Sequence, residues 1–207
     1  MKQEQDKTDR KEMQGGAGQG KVCAVSARAD QDIVASKWIA LEGTVLLAET
    51  HRERLQKRLP ARLIDEAAAF DRYLSVIPEA ATAMKSGVCG ICSLSQGGIL
   101  AGLWEMAQEG GVGLEVEFMK IPVRQETIEI CECLGENPYE LASGGSLLMT
   151  SENGYSLVDA LMREGIPATV IGRTTRGNDR ILYHQGRKRY LNKPKPPRST
   201  GVTSGTS

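Results

Sequence analysis

The stretch Ser93-Leu94-Ser95-Gln96-Gly97-Gly98 sets two small hydroxyls and a double glycine directly before a helix-like run, Ile99-Leu100-Ala101-Gly102-Leu103-Trp104-Glu105-Met106-Ala107. A short apolar run, residues 88–92, precedes it. Strand, small polar loop and helix start, in that order, aim backbone N–H groups and a helix dipole at one spot. That arrangement suits a phosphate or another anion. Gly97 and Gly98 admit positive φ and let backbone come close to a ligand, while Ser93 and Ser95 add hydroxyl donors. The same residues also suit a plain strand-to-helix turn with Ser95 as the helix N-cap.

Other groups could contribute. Ser143-Gly144-Gly145-Ser146 is a second small-residue loop, with room for an anion or for close backbone packing. Glu42-Gly43-Thr44 opens a helix after a strand, so Glu42 either places a carboxylate near a ligand or complements the helix dipole. Cys89-Gly90-Ile91-Cys92 has C-x-x-C spacing but falls on a buried strand, and Cys131-x-Cys133 has a poor chelating spacing on a helix. With His51 and His184 the only histidines, neither completes a ligand set, no metal site is expected and a hydrolase triad is disfavoured. Arg124-Gln125-Glu126 after Pro122 reads as a solvated first turn of a helix.

The elements that must position these groups alternate along the chain. Strands are expected at residues 32–39, 88–92, 114–118, 147–150 and 168–173, with a hairpin pairing 180–184 with 188–191 across Gln185-Gly186. Helices are expected at about 43–58, 62–75, after Pro78 up to Gly87, 98–108, 124–134 and 155–163. Crossovers mixed with hairpins imply an α/β (α+β) domain, a mixed β-sheet flanked by helices.

Composition bounds the rest. Of 207 residues 40% are hydrophobic but only 4% aromatic, so the core must be aliphatic. Lys+Arg and Asp+Glu are both 26, which gives no support for a general nucleic-acid or membrane surface. No apolar run approaches the ~20 residues that span a bilayer. Five cysteines, an odd number, and a charged opening segment without an apolar centre point to a reducing cytoplasm. Residues 1–20 and 193–207 read as disordered, leaving one domain over 21–192.

An ordered series of segments resembles the C-terminal domain of the AIR synthase (PurM-like) superfamily, nearest to its hydrogenase maturation factor-like members. The series runs Lys37-Trp38-Ile39-Ala40-Leu41-Glu42-Gly43-Thr44, Leu74-Ser75-Val76-Ile77-Pro78-Glu79-Ala80, residues 97–107 and Ile121-Pro122-Val123-Arg124. It continues through Asn137-Pro138-Tyr139-Glu140-Leu141, Ser143-Gly144 and residues 165–172. The resemblance implies a mixed sheet with partial ferredoxin-like topology. It also implies that the double-glycine loop holds a phosphate or substrate group.

In the family, ATP and magnesium are held mainly by an N-terminal half. Only twenty disorder-prone residues stand before Lys21, so that half is expected from elsewhere. Relatives commonly carry an acidic residue a few positions before the glycine pair, where Cys92 and Ser93 stand here. The maturation factor's terminal cysteine has no counterpart, since the sequence ends Gly205-Thr206-Ser207. The expectation is a non-catalytic domain that binds a small anionic ligand, a second copy of itself or another polypeptide through Ser93, Ser95, Gly97, Gly98, Glu42, Gly43, Ser143 and Gly144, with no cofactor of its own. The alternative is a subunit of a split ATP-dependent enzyme that activates a carbonyl or amide oxygen, with the ATP-binding half supplied by a separate polypeptide.

Overall fold

A computed structural model describes residues 23–24 and 27–194. The disorder expected for 1–20 and for 195–207 falls outside the described residues. Among the described residues eight strands form one sheet in the order β1-β3-β5-β2-β6-β4-β7-β8. The strands are β1 (Cys23–Ala24), β2 (Asp32–Ser36), β3 (Gly90–Ser93), β4 (Gly113–Glu117), β5 (Leu147–Ser151), β6 (Ala168–Thr175), β7 (Arg180–His184) and β8 (Arg187–Tyr190). Neighbours are antiparallel except β4 and β7, which run parallel, so the sheet is mixed as its sequence implies.

Helices cover both faces. They are α1 (Leu41–Thr50), α2 (Arg52–Gln56), α3 (Ala61–Ala68), α4 (Ile77–Lys85), α5 (Gly98–Gly110), α6 (Gln125–Leu134) and α7 (Gly154–Arg163). Strand alternation sorts the core. Ile33, Ala35, Cys92 and Leu148 face Ile99, Leu103 and Met106 of α5. Val34, Ile91, Leu147 and Met149 face Ala83 of α4 and Leu157 and Leu161 of α7. A third cluster, Ala48, Leu55, Ile64, Ala67 and Ile130, ties α1, α2, α3 and α6 together. Each fully buried Leu or Ile contributes about 1.5–3 kcal/mol of transfer free energy, so two such faces pin the register of the central strands.

Several boundaries differ from those expected. The strand predicted over 32–39 ends at Ser36, because Lys37 and Ala40 take left-handed backbone, φ 50° and 61°. The helix predicted over 43–58 starts at Leu41 and breaks at His51, φ −111°. The helix predicted over 62–75 tightens to a 3-10 turn, Ala69–Tyr73, that buries Phe70. Phe118 leaves the strand period and enters a 3-10 turn, Phe118–Lys120. The hairpin forms as expected, with Gln185 and Gly186 both at positive φ, 49° and 74°. That pairing of signs is the two-residue turn whose twist matches the flanking strands. Among the described residues no helix is long and apolar enough to cross a membrane.

Candidate functional site

Antiparallel pairing brings the C-terminal ends of β2 and β3 beside the N-terminal ends of β5 and β6: Ser93 lies opposite Leu147 and Ser36 opposite Ala168. That end of the sheet carries the anion-site candidates: Ser93 ends β3, Ser95 and Gly97 follow it, Gly98 opens α5, Glu42 and Gly43 lie in the first turn of α1, and Ser143 and Gly144 precede β5. The Glu42 carboxylate accepts the Gly144 N–H at 3.2 Å. Gly43 N–H donates to Ala142 O at 2.8 Å, and Ser143 N–H to Ser95 O at 3.2 Å. The buried Ser143 Oγ accepts the Ala40 N–H at 2.8 Å and donates to Leu141 O at 3.0 Å. The loop over residues 142–144 is therefore hydrogen-bonded to both of the other segments.

The glycine pair works by close approach. Gly97 is the N-cap of α5 at φ 83°, with no side-chain cap, so Ser95 is not the N-cap that its position suggests. Gly98, φ 66°, presses on the next loop: a Cβ there would lie 2.4 Å from Tyr139 O and 2.7 Å from Leu141 O. Its N–H donates to Ser95 O at 3.2 Å, and Leu100 N–H reaches Tyr139 O at 3.4 Å. Gly98 is buried, whereas Ser93, Ser95 and Gly97 are half-buried and Gln96 is exposed. The result is a ledge, residues 93–97, whose inner wall is the chain over 139–142.

Sequence reasoning missed a buried pair of charges. Lys37 and Glu79 form a buried ion pair, their side chains 8% and 2% exposed. Lys37 Nζ also donates to Tyr73 O at 2.6 Å and Ser75 O at 2.7 Å. Nothing local in the sequence signals a partnership across so many residues. Ser146 Oγ donates to Trp38 O, and Ser36 Oγ accepts the Leu147 N–H at 3.0 Å.

Arg124 and Glu126 are not the solvated turn that their sequence suggests. The Arg124 guanidinium lies 4.9 Å from the Trp38 ring and 5.4 Å from the Phe70 ring. It donates to Glu126 at 2.9 and 3.2 Å. Burial, the largest single influence, raises the Glu126 carboxyl, but the Arg124 hydrogen bond, a backbone hydrogen bond and the Arg124 charge together hold the group below its ordinary value of 4.5. A carboxyl with a lowered folded pKa adds stability above its unfolded pKa and loses it as pH falls through the folded one. Acid unfolding of Arg124→Met should therefore lack part of the decline seen in the parent. Its cost, about 1 kcal/mol by denaturant titration at neutral pH, should shrink towards pH 3.

The cysteines fit a structural role. Cys92, Cys131 and Cys133 are buried, and Cys89 is half-buried. Burial, with the Glu136 charge added, pushes the Cys131 thiol up to about 12. Among the described residues no three His, Cys, Asp or Glu side chains gather as a metal-holding group.

Comparison with known proteins agrees with this fold. Residues 28–185 match the family model "AIR synthase related protein, C-terminal domain". Carbamoyl dehydratase HypE of Rhodobacter capsulatus is 37% identical over 107 residues, 50% of this chain and 30% of that protein. Phosphoribosylformylglycinamidine synthase subunit PurL of Methanopyrus kandleri is 26% identical over 151 residues, 73% of this chain and 19% of that protein. The crystal structure of Escherichia coli HypE shares the fold, with a TM-score of 0.64 at 23% identity, covering 83% of this chain and 52% of that one. The chain thus spans about half the length of the solved relatives and less of the curated ones. It is a PurM-like domain related to the hydrogenase maturation protein HypE, and it belongs to the family of AIR synthase related proteins, C-terminal domain.

Proposed function

We propose that this domain holds a small anionic group on the ledge of residues 93–97 and completes a site together with another polypeptide or a second copy, carrying out no reaction by itself. The carrying observation is the convergence of Ser93–Gly98, Glu42–Gly43 and Ser143–Gly144 at one end of the sheet, held together by Gly144 N–H to Glu42, Gly43 N–H to Ala142 O and Ser143 N–H to Ser95 O. Ser93 and Ser95 offer hydroxyls there, beside the start of a 13-residue helix whose dipole favours negative charge. A reducing cytoplasm is the compartment that we assign.

A second reading rests on the likeness to HypE, of which the chain spans 52% in the Escherichia coli protein and 30% in the Rhodobacter one. In it, the domain is one part of a split ATP-dependent enzyme and a separate polypeptide supplies the ATP-binding half. A HypE–HypF complex among the solved relatives, TM-score 0.60, lends the idea of a partner a precedent. The resemblance implies ATP and magnesium, but the described acidic side chains are not grouped to hold a metal ion. Magnesium does not fit the donors of the described residues.

The test is titration of the isotope-labelled chain with inorganic phosphate, followed by amide resonances. Those of Gln96, Gly97 and Gly98 should shift saturably. Ser95→Asp sets a carboxylate where the anion would lie and should weaken phosphate at least about tenfold, by like-charge repulsion. It should leave thermal stability equal or higher, because an acid suits a helix start. Unmoved resonances in the parent chain would remove the anion reading. Turnover of ATP only with an added partner polypeptide would select the second reading.

A further inference from the structure

The last strand of the sheet carries a surface that the proposed site does not use. β8 (Arg187–Tyr190) reads Arg-Lys-Arg-Tyr, and all four residues are exposed. It lies beyond residues 28–185, the part matched by the family model. It pairs only with β7 among the described residues, so one edge is open. From Arg180 to Arg198 the sequence holds seven basic residues (Arg180, Arg187, Lys188, Arg189, Lys193, Lys195 and Arg198) and no Asp or Glu. The chain as a whole balances 26 against 26, so its positive charge is concentrated at this end.

Backbone register says which groups face outward. His184 and Arg187 flank the two-residue turn, and Leu182 lies opposite Arg189. Leu191 N–H donates to Arg180 O at 2.8 Å, which marks the pairs at this spacing as the hydrogen-bonded ones. Antiparallel pairs alternate, so Arg187 and Arg189 turn their backbone groups toward β7. Lys188 and Tyr190 turn their N–H and C=O groups outward, along the open edge. Lys188 Nζ sits 5.0 Å from the Tyr190 ring, and that ring is 61% exposed.

We propose that the open edge of β8 takes an extended acidic segment of a partner protein as an added strand, with Lys188 and Tyr190 supplying the backbone bonds and Arg187, Lys188 and Arg189 selecting its charge. Strand addition gives affinity through main-chain bonds and specificity through side chains on the edge. Charge decides the occupant. Two copies of β8 edge to edge would oppose Arg and Lys, which is how native sheets block self-pairing. An acidic strand meets no such repulsion, and each opposite-charge pair across the edge adds to its binding.

The probe is a short fluorescent peptide of alternating valine and glutamate, added to the full chain and followed by anisotropy. Binding should weaken as salt rises. Lys188→Pro deletes an outward N–H and leaves the bonds to β7 in place, and proline is tolerated at a sheet edge. It should weaken the peptide about tenfold more than Lys188→Ala, which removes the same charge but keeps the N–H. The double variant Arg187→Glu/Arg189→Glu should lose this peptide and gain a valine–lysine one, a result that misfolding cannot produce. Equal effects of Lys188→Pro and Lys188→Ala, tighter binding of a single-stranded oligonucleotide than of the peptide, or no binding of the peptide would each overturn the proposal.

Discussion

Glu79→Ala should destabilise the protein by about 3–5 kcal/mol in urea titration, the usual cost of leaving one buried charge without its partner. Glu79 stands in the first turn of α4 with its side chain 2% exposed, and its counter-ion Lys37 is 8% exposed. The Lys37 ammonium donates to Tyr73 O and Ser75 O, and the Glu79 carboxylate, whose Oε1 accepts no hydrogen bond from the described residues, pairs with its charge. Removing the carboxylate leaves the ammonium with two carbonyls and no negative charge, in a place that water does not reach. Lys37→Met should cost a similar amount for the converse reason. The double variant Lys37→Met/Glu79→Leu should cost clearly less than the two single changes added together, since an apolar pair of similar volume carries no desolvation penalty. Additive losses, or a Glu79→Ala cost below about 1 kcal/mol, would mean that the pair is screened and holds nothing.

The consequence reaches the candidate site. Lys37 adopts φ 50°, and its N–H donates to Pro167 O at 2.6 Å. Trp38 follows, its carbonyl accepting Ser146 Oγ, and Ala40 N–H then meets Ser143 Oγ. The ion pair therefore fixes the bend that delivers Glu42 and Gly43 to the Ser143–Gly144 loop.

Local chemistry was legible in the sequence, and long-range closure was not. Pro78 at the first turn of α4, Gly135 closing α6 at φ 77° and the Gln185-Gly186 turn all act through their own dihedrals, so sequence alone places them. The alternation of residues 114–117 shows because one face of β4 is buried. The early end of β2 does not show, since Lys37 and Ala40 have no intrinsic preference for positive φ. They are held there by partners at 73, 75, 79, 143 and 167. The break at His51 carries no proline or glycine to announce it. Arg124 looked like a surface charge because nothing near it in sequence says that Trp38 and Phe70 will form its bed. The small-residue loops were readable as loops. That they hydrogen-bond to each other follows only from the strand order, in which β5 separates β3 from β2.

Gly98→Ala should lower the melting temperature by roughly 10 °C, at a cost of about 3 kcal/mol or more. Two effects add. Alanine at φ 66° costs about 1–2 kcal/mol of backbone strain. Its Cβ would also lie 2.4 Å from Tyr139 O, 2.7 Å from Leu141 O and 3.0 Å from the Glu140 carbonyl carbon. All three are backbone atoms, so no rotamer change relieves the clash, and overpacking of this kind adds about 1–3 kcal/mol. Gly87→Ala separates the two effects. Gly87 has φ 72° but nothing within 4 Å of the added carbon, so it should cost only the strain. Gly97→Ala should fall between them, because its one close neighbour is the Ala101 Cβ at 2.7 Å. The order Gly98 above Gly97 above Gly87 is the expected result in thermal melts. Equal losses at Gly98 and Gly87 would show that the wall over 139–142 yields freely. A rigid wall has a functional corollary: Ser143 N–H holds Ser95 O from that side, so displacing residues 139–142 moves the ledge itself. Gly98→Ala should then lose phosphate-dependent shifts at Gln96 even well below its melting point, whereas Gly87→Ala should keep them.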